Sequence, residues 1–257
     1  MAAVGGFRDL SGKWSGGIRS PGQSGLAAGL LTLFTLAGCN RTVEVRYRIT
    51  IEVLDHGSVR SGSGVWSVTV TRGLLGSYES HLRGEAVIVD LGARGRMFAV
   101  VAGRSKNGLP TSPDHVALLP EALFGDVARS RARLSPLHQD RIDDLEAIRG
   151  QVGRSVSLNC DTPSECADFF PFLVRFGDLR DPTSVRVVDP TNLAAEFGEG
   201  VSLRGISVQI TDEQVTQNPA DAMPQYTGRP KFSRWYSSLS QNDPRRIGPE
   251  NLAQGVK

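Results

Sequence analysis

The side chains able to do nucleophilic, acid–base or metal chemistry are few and scattered in this 257-residue chain. His56, His81, His115 and His138 show neither His-Glu-x-x-His spacing nor a pair one helical turn apart, the arrangements that put two imidazoles on one metal. No Gly-x-Ser-x-Gly elbow presents a serine nucleophile, and no glycine-rich loop ending in Gly-Lys-Ser/Thr cradles a phosphate. Asp143, Asp144 and Glu146 lie beside Ile142 and Leu145, which describes a solvated helix face rather than a calcium loop. Asp181-Pro182-Thr183 and Asp189-Pro190-Thr191 repeat a tripeptide. Paired acid–base carboxylates are one reading of it, and turn or helix-start chemistry is the better one. The pattern assigns no catalytic residue, no metal ligand and no cofactor, and it leans away from an enzyme. A hydrolase drawing on His56, His81 or His115 stays as the alternative, because residues remote in sequence can meet in a fold.

The cysteines are more informative. Arg19 precedes an apolar run, Gly25 to Ala37, which closes on Leu36-Ala37-Gly38-Cys39. The run is shorter than the ~20 residues a helix needs to cross a bilayer. A basic flank, a short apolar segment and small residues before the cysteine describe a secretory signal. The four-residue close resembles the lipobox of bacterial lipoproteins. That resemblance implies that residues 1–38 are a removed signal peptide and that Cys39 is lipidated and becomes the first mature residue. It also implies that Asn40, standing where an aspartate would favour inner-membrane retention, sends the protein to the outer membrane. The expected partner is the membrane itself, through the lipid anchor, with an envelope protein or a glycan beyond it. Met1–Gln23 is long for a segment ahead of a signal run; an extended leader and a start downstream of Met1 both account for it. Cys160 and Cys166 are then left as an even pair in an oxidising compartment, which points to a disulfide. So small a loop would stabilise by roughly 2 kcal/mol. Two free thiols are the alternative; a metal site lacks further ligands nearby.

Charge narrows the partners. The chain holds 29 basic and 27 acidic residues, and three basic and one acidic residue fall in the leader, so the remainder is balanced. A neutral domain lacks the electrostatic footprint of a nucleic-acid binder. Hydrophobic content of 39% is enough for a core and argues against a disordered chain.

The elements that must position any site read as mostly β. Val43, Val45, Tyr47, Ile49, Ile51 and Val53 alternate with polar residues, the mark of a long strand with one buried face. Asp55-His56-Gly57-Ser58 is turn chemistry, followed by a Gly/Ser stretch to Gly64 and a second strand over Val65–Thr71. The Glu85–Leu91 and Arg96–Ala102 runs are apolar without alternation and predict strands covered on both faces. These four strands suggest an antiparallel meander with the later strands central. Ser135-Pro136 is a helix start, Ile142, Leu145 and Ile148 mark one face, and Gly150 is a stop; a shorter helix begins at Pro120, with Arg129, Arg131 and Arg133 between the two. Phe170, Phe172, Val174 and Phe176 predict a strand that Pro171 confines to an edge. Asp189-Pro190 opens a short helix to Phe197. Val201–Thr211 is a strand whose apolar phase slips at Arg204-Gly205, as a β-bulge requires. Phe232, Trp235, Tyr236 and Leu239 have helical spacing, and with Arg229, Lys231 and Arg234 they compose an aromatic and basic segment suited to a membrane interface or a glycan. The bland alternative is an amphipathic helix covering a sheet face.

The segments Val174-Arg175-Phe176-Gly177-Asp178-Leu179-Arg180-Asp181-Pro182, Val188-Asp189-Pro190, Phe197-Gly198 and Ile210-Thr211-Asp212 are similar to an uncharacterised family of small bacterial exported proteins. That resemblance implies one continuous domain and no particular activity. The expectation is therefore an α+β fold, mainly an antiparallel β meander with a few short helices. It comprises residues 1–38 as signal, 39–240 as a single envelope domain and 241–257 as a disordered tail. The expected role is a non-enzymatic binding or assembly function.

Overall fold

The computed structural model describes residues 41–73, 76–134, 140–158, 169–226 and 230–255, all within one compact unit. Cys39, Asn40, Cys160, Cys166, His138 and the predicted helix start at Ser135-Pro136 lie outside the described residues. The fold is α+β and mainly antiparallel β. The strands are β1 (Arg41–Asp55), β2 (Ser58–Arg72), β3 (Tyr78–Glu85), β4 (Val87–Asp90), β5 (Arg96–Gly103), β6 (Ser155–Ser157), β7 (Pro171–Asp178), β8 (Asp181–Val187), β9 (Val201–Ile210) and β10 (Ala253–Gln254). The helices are α1 (Pro113–Val116), α2 (Leu119–Leu134), α3 (Arg141–Arg149), α4 (Ala194–Phe197), α5 (Pro230–Ser238) and α6 (Pro249–Leu252). One sheet has the order β10-β3-β2-β1-β9-β6 and the other β4-β5-β7-β8.

The long first strand is as its alternation predicts, and all six odd positions from Val43 to Val53 are buried. Its turn places His56 and Gly57 at φ 48° and 83°, the two left-handed positions of the tight hairpin that matches strand twist. β2 starts at once, at Ser58, so the Gly/Ser stretch is strand and not loop. The reason is tertiary. A Cβ on Gly62 would overlap the Ile88 carbonyl, and one on Gly64 would press on Val87 at 3.2 Å, so β4 crosses close over β2 where side chains are missing.

The meander is divided between the sheets. β1 is central in the first, and the Glu85–Leu91 run is broken: Glu85 ends β3 and β4 begins at Val87 in the second sheet. At that joint the Trp66 indole donates from Nε1 to the Glu85 carbonyl at 2.7 Å, stands edge-on to Tyr47, and occupies the space that a side chain on Gly84 would need. β3 itself is mostly polar and exposed and carries no alternation to predict it by. The double covering expected of the apolar runs holds for β5, whose Met97, Ala99 and Val101 enter the core between sheets while Phe98, Val100 and Ala102 enter a second core.

That second core explains a correction. Little order was expected beyond Gln241, yet Ile247 and Leu252 are buried in it, α6 follows, and β10 pairs with Gly84 and Glu85 of β3. The C-terminal stretch is polar on average, but two apolar side chains and two ladder residues suffice to pin it. Pro171 is likewise not on an edge strand, since β7 lies between β5 and β8. It is the strand's first residue, beyond the end of the β8 ladder, where its missing N–H removes no bond. α2 runs on through Arg129, Arg131 and Arg133 instead of stopping before them. The phase slip in β9 is the expected bulge: Glu52 pairs with Gly205 and Val53 with Leu203, leaving Arg204 as the extra residue.

Candidate functional site

At the end of β1 remote from Arg41, three loops converge on Arg94. Its Nε lies 3.2 Å from the Asp55 carboxylate, Nη1 donates to the Phe197 carbonyl at 2.5 Å, and Nη2 lies 3.1 Å from His56 Nδ1. His56 Nδ1 is also 3.1 Å from Asp55, so one ring nitrogen faces both a donor and an acceptor, and its proton decides which contact is a hydrogen bond. The hydrogen bond with His56 and the positive charge of Arg94 hold the Asp55 carboxyl below its ordinary range. Gly198 and Gly200, at φ 91° and 79°, belong to this knot: a side chain on the first would strike Arg94 and on the second the imidazole. The histidine–acid pair that a hydrolase needs thus exists, but on a turn whose histidine side chain is 62% exposed. None of the three described clefts is lined by a histidine, and His81 and His115 are exposed. The arrangement reads as a structural clasp.

The aromatic and basic segment forms α5. Phe232 is buried, Trp235 and Tyr236 are half-buried, and Trp235 packs on the core under the second sheet. Arg246 lies over the Tyr236 ring at 4.4 Å and donates to the carbonyls of Tyr236 and Leu239. Most of this surface is occupied within the chain. Lys231 and Arg234 are exposed, and Arg229 lies outside the described residues.

At the opposite end, where β1 begins, Asp140 collects four partners. Its carboxylate caps α3 by accepting the Ile142 N–H at 3.0 Å, accepts the Tyr78 hydroxyl at 2.8 Å and Arg72 Nη1 at 2.5 Å, and lies 3.5 Å from Arg41. Arg41 also reaches Asp143. The ends of β1, β2 and β3 are thereby tied to one helix. Burial pushes the Asp140 carboxyl up, but the hydrogen bonds from Ile142 and Tyr78 and the two guanidinium charges outweigh it and hold it below the ordinary range. A depressed folded value means the stabilisation is complete above the unfolded value and is lost as pH falls through the folded one. Asp140→Ala should cost about 2 kcal/mol at neutral pH, the loss of a cap plus charge-assisted bonds. In urea melts the gap between wild type and variant should hold from about pH 6 to 8 and close below about pH 4; a gap independent of pH would refute the assignment. The sequence carried a usable signal for this cap, an aspartate two residues before the first buried apolar position of α3, which Ser135-Pro136 overshadowed.

Carboxylates singled out by sequence are spent locally. Asp181 and Asp189 each accept the backbone N–H and hydroxyl of the threonine two residues on, the turn chemistry of the repeated tripeptide. Among the described residues no group of three or more His, Cys, Asp or Glu could hold a metal ion, and no helix is long and apolar enough to cross a membrane.

The two larger of these three clefts were not visible in the sequence. One of 490 Å³ is polar, with Glu44, Arg46, Arg83, Gln214 and Gln217 in its walls. Here Arg46 donates to Glu44 at 2.9 Å and to the Asp212 carbonyl, so its charge is largely satisfied. The other, of 720 Å³, lies where the C-terminal segment passes the β3–β10 edge, with Met223, Pro224, Tyr226 and Leu252 as apolar walls and Glu85 and Asp221 among its polar ones. Both are of the size that holds small ligands or peptide segments. No family model, curated protein or solved structure matches this chain.

Proposed function

We propose that this chain is a lipid-anchored protein of the bacterial cell envelope, carried on Cys39 in the outer membrane and facing the periplasm, with a non-enzymatic binding or assembly role. The observation that supports it is where the sheet starts. β1 begins at Arg41 and pairs with β2 from its first residue to its last, so only Asn40 separates the cysteine of the lipobox-like stretch from a rigid ladder. At ~3.3 Å per residue, β1 then carries the Arg94 clasp about 45 Å away from the anchored end. β3 holds Glu85, beside the larger cleft, about 23 Å from Tyr78 at that same end. A domain so held presents its side walls, and not a flexible stalk, to other envelope components. A disulfide between Cys160 and Cys166 belongs to the same reading. The direct test is the intact mass of the protein extracted from membranes of the native host. The expected species starts at Cys39 and is heavier than residues 39–257 by attached acyl groups; a chain retaining residues 1–38, or one without added mass, overturns the anchor.

A further inference from the structure

The larger cleft has a one-sided chemistry. Glu85 and Asp221 line it, and among the described residues no lysine, arginine or histidine does. The Asn218 backbone N–H binds one oxygen of Glu85, which fixes that carboxylate in place and leaves its second oxygen for another donor. Asp221 is exposed and makes no hydrogen bond or ion pair among the described residues. Burial raises the Tyr226 phenol above its ordinary value, and the charge of Glu250 nearby adds to the shift. The apolar side is firm: Leu252 belongs to the second core, where Met223 and Tyr226 pack against it, and the Tyr226 hydroxyl donates to the Ile247 carbonyl. The cleft also borders a strand edge. β10 is the outermost strand of its sheet, and its first residue, Ala253, lines the cleft.

We propose that this cleft binds a peptide segment of basic and small apolar residues, which passes the Ala253 carbonyl with a cationic side chain between Glu85 and Asp221. Ala253 spends its N–H on the Pro249 carbonyl, so β10 offers a peptide one carbonyl rather than a ladder, and the wall pockets select the side chains. The apolar walls take aliphatic side chains, and two carboxylates in a cleft that no cation among the described residues lines favour a lysine or arginine over an acidic residue. The site concerns only residues remote from Cys39, so it stands or falls apart from the anchor.

The test is fluorescence anisotropy with the purified full chain and a labelled hexapeptide, Ala-Lys-Leu-Ala-Lys-Val, against the same peptide with glutamate for both lysines. The lysine peptide should bind saturably, at least about tenfold tighter than the glutamate one, and weaken as salt rises from ~0.05 to ~0.5 M. Asp221→Lys should lose about tenfold in affinity for the lysine peptide with an unchanged circular dichroism spectrum, and Cys39→Ser should bind as wild type does. Equal binding of the two peptides, no saturation by about 1 mM, or full affinity in Asp221→Lys would overturn the proposal. Displacement of the peptide by an equal concentration of butylamine would overturn the peptide as occupant.

Discussion

Cys39→Ser is expected to abolish incorporation of labelled fatty acid and to empty the membrane-fraction pool of this protein. Serine keeps the size and polarity of the side chain and removes only the thiol to which lipid would be joined. The effect should be close to complete because acyl chains dominate such anchoring. Each buried methylene contributes about 0.8 kcal/mol, and stable attachment takes two membrane signals rather than one. Cys39 lies outside the described residues, and the ladder holds without it: the first pair is Arg41 with Arg72, and Asp140 ties that end together. The variant should therefore melt as the wild-type domain does, which separates loss of anchor from loss of fold. Unchanged labelling would sink the lipoprotein reading. The short reach between Cys39 and Arg41, about 7 Å at full extension, adds a geometric expectation, that the Arg41–Arg72–Tyr78 end stays near the headgroups.

The second large effect lies in the core. Gly62→Ala should destabilise the domain by about 3 kcal/mol, the upper part of the range for overpacking. The added Cβ would overlap the backbone carbonyl of Ile88 and come within 3.1 Å of the Val89 side chain. A flexible side chain could swing aside, but a strand's carbonyl moves only with its strand, and β4 is bound to β5 along its whole length. Relief must come from prising the two sheets apart near Val87 and Val89, both buried in the core between them. Gly205→Ala is the control, because a Cβ there meets nothing within 4 Å, and it should change stability by less than about 1 kcal/mol. Chemical denaturation of both variants decides the matter; equal midpoints would mean that the close crossing of β4 over β2 is not as described.

What was legible in the sequence was legible for a local reason. Alternation marks β1 because one face of a strand is buried and the other is not, and that period survives in any tertiary setting. The His56-Gly57 turn and the bulge at Arg204 follow from backbone chemistry within a few residues. The repeated Asp-Pro-Thr turns are local for the same reason, and so is the buried face of α3. The lipobox-like close from Leu36 to Cys39 is equally local as a pattern, and the secretory signal it implies is the expectation that Cys39→Ser tests.

Tertiary structure decided the rest. The Ser61–Gly64 stretch reads as loop until β4 crosses it, and only then does the absence of side chains explain the strand. β3 has Leu82 as its one aliphatic side chain, too little for a period, and is a strand because β2 offers it a ladder. The C-terminal residues past Gln241 look solvated, yet Ile247 and Leu252 find a core made by the outer face of β5 and β7. Glu85, Asp221 and Ala253 come from three distant stretches, and no spacing rule joins them. A residue's own neighbours in the chain set its propensity and period. Whether a strand is covered, a carboxylate faces a cleft or a glycine must stay bare depends on which remote backbone passes over it, and that is settled only when the two sheets close on one another.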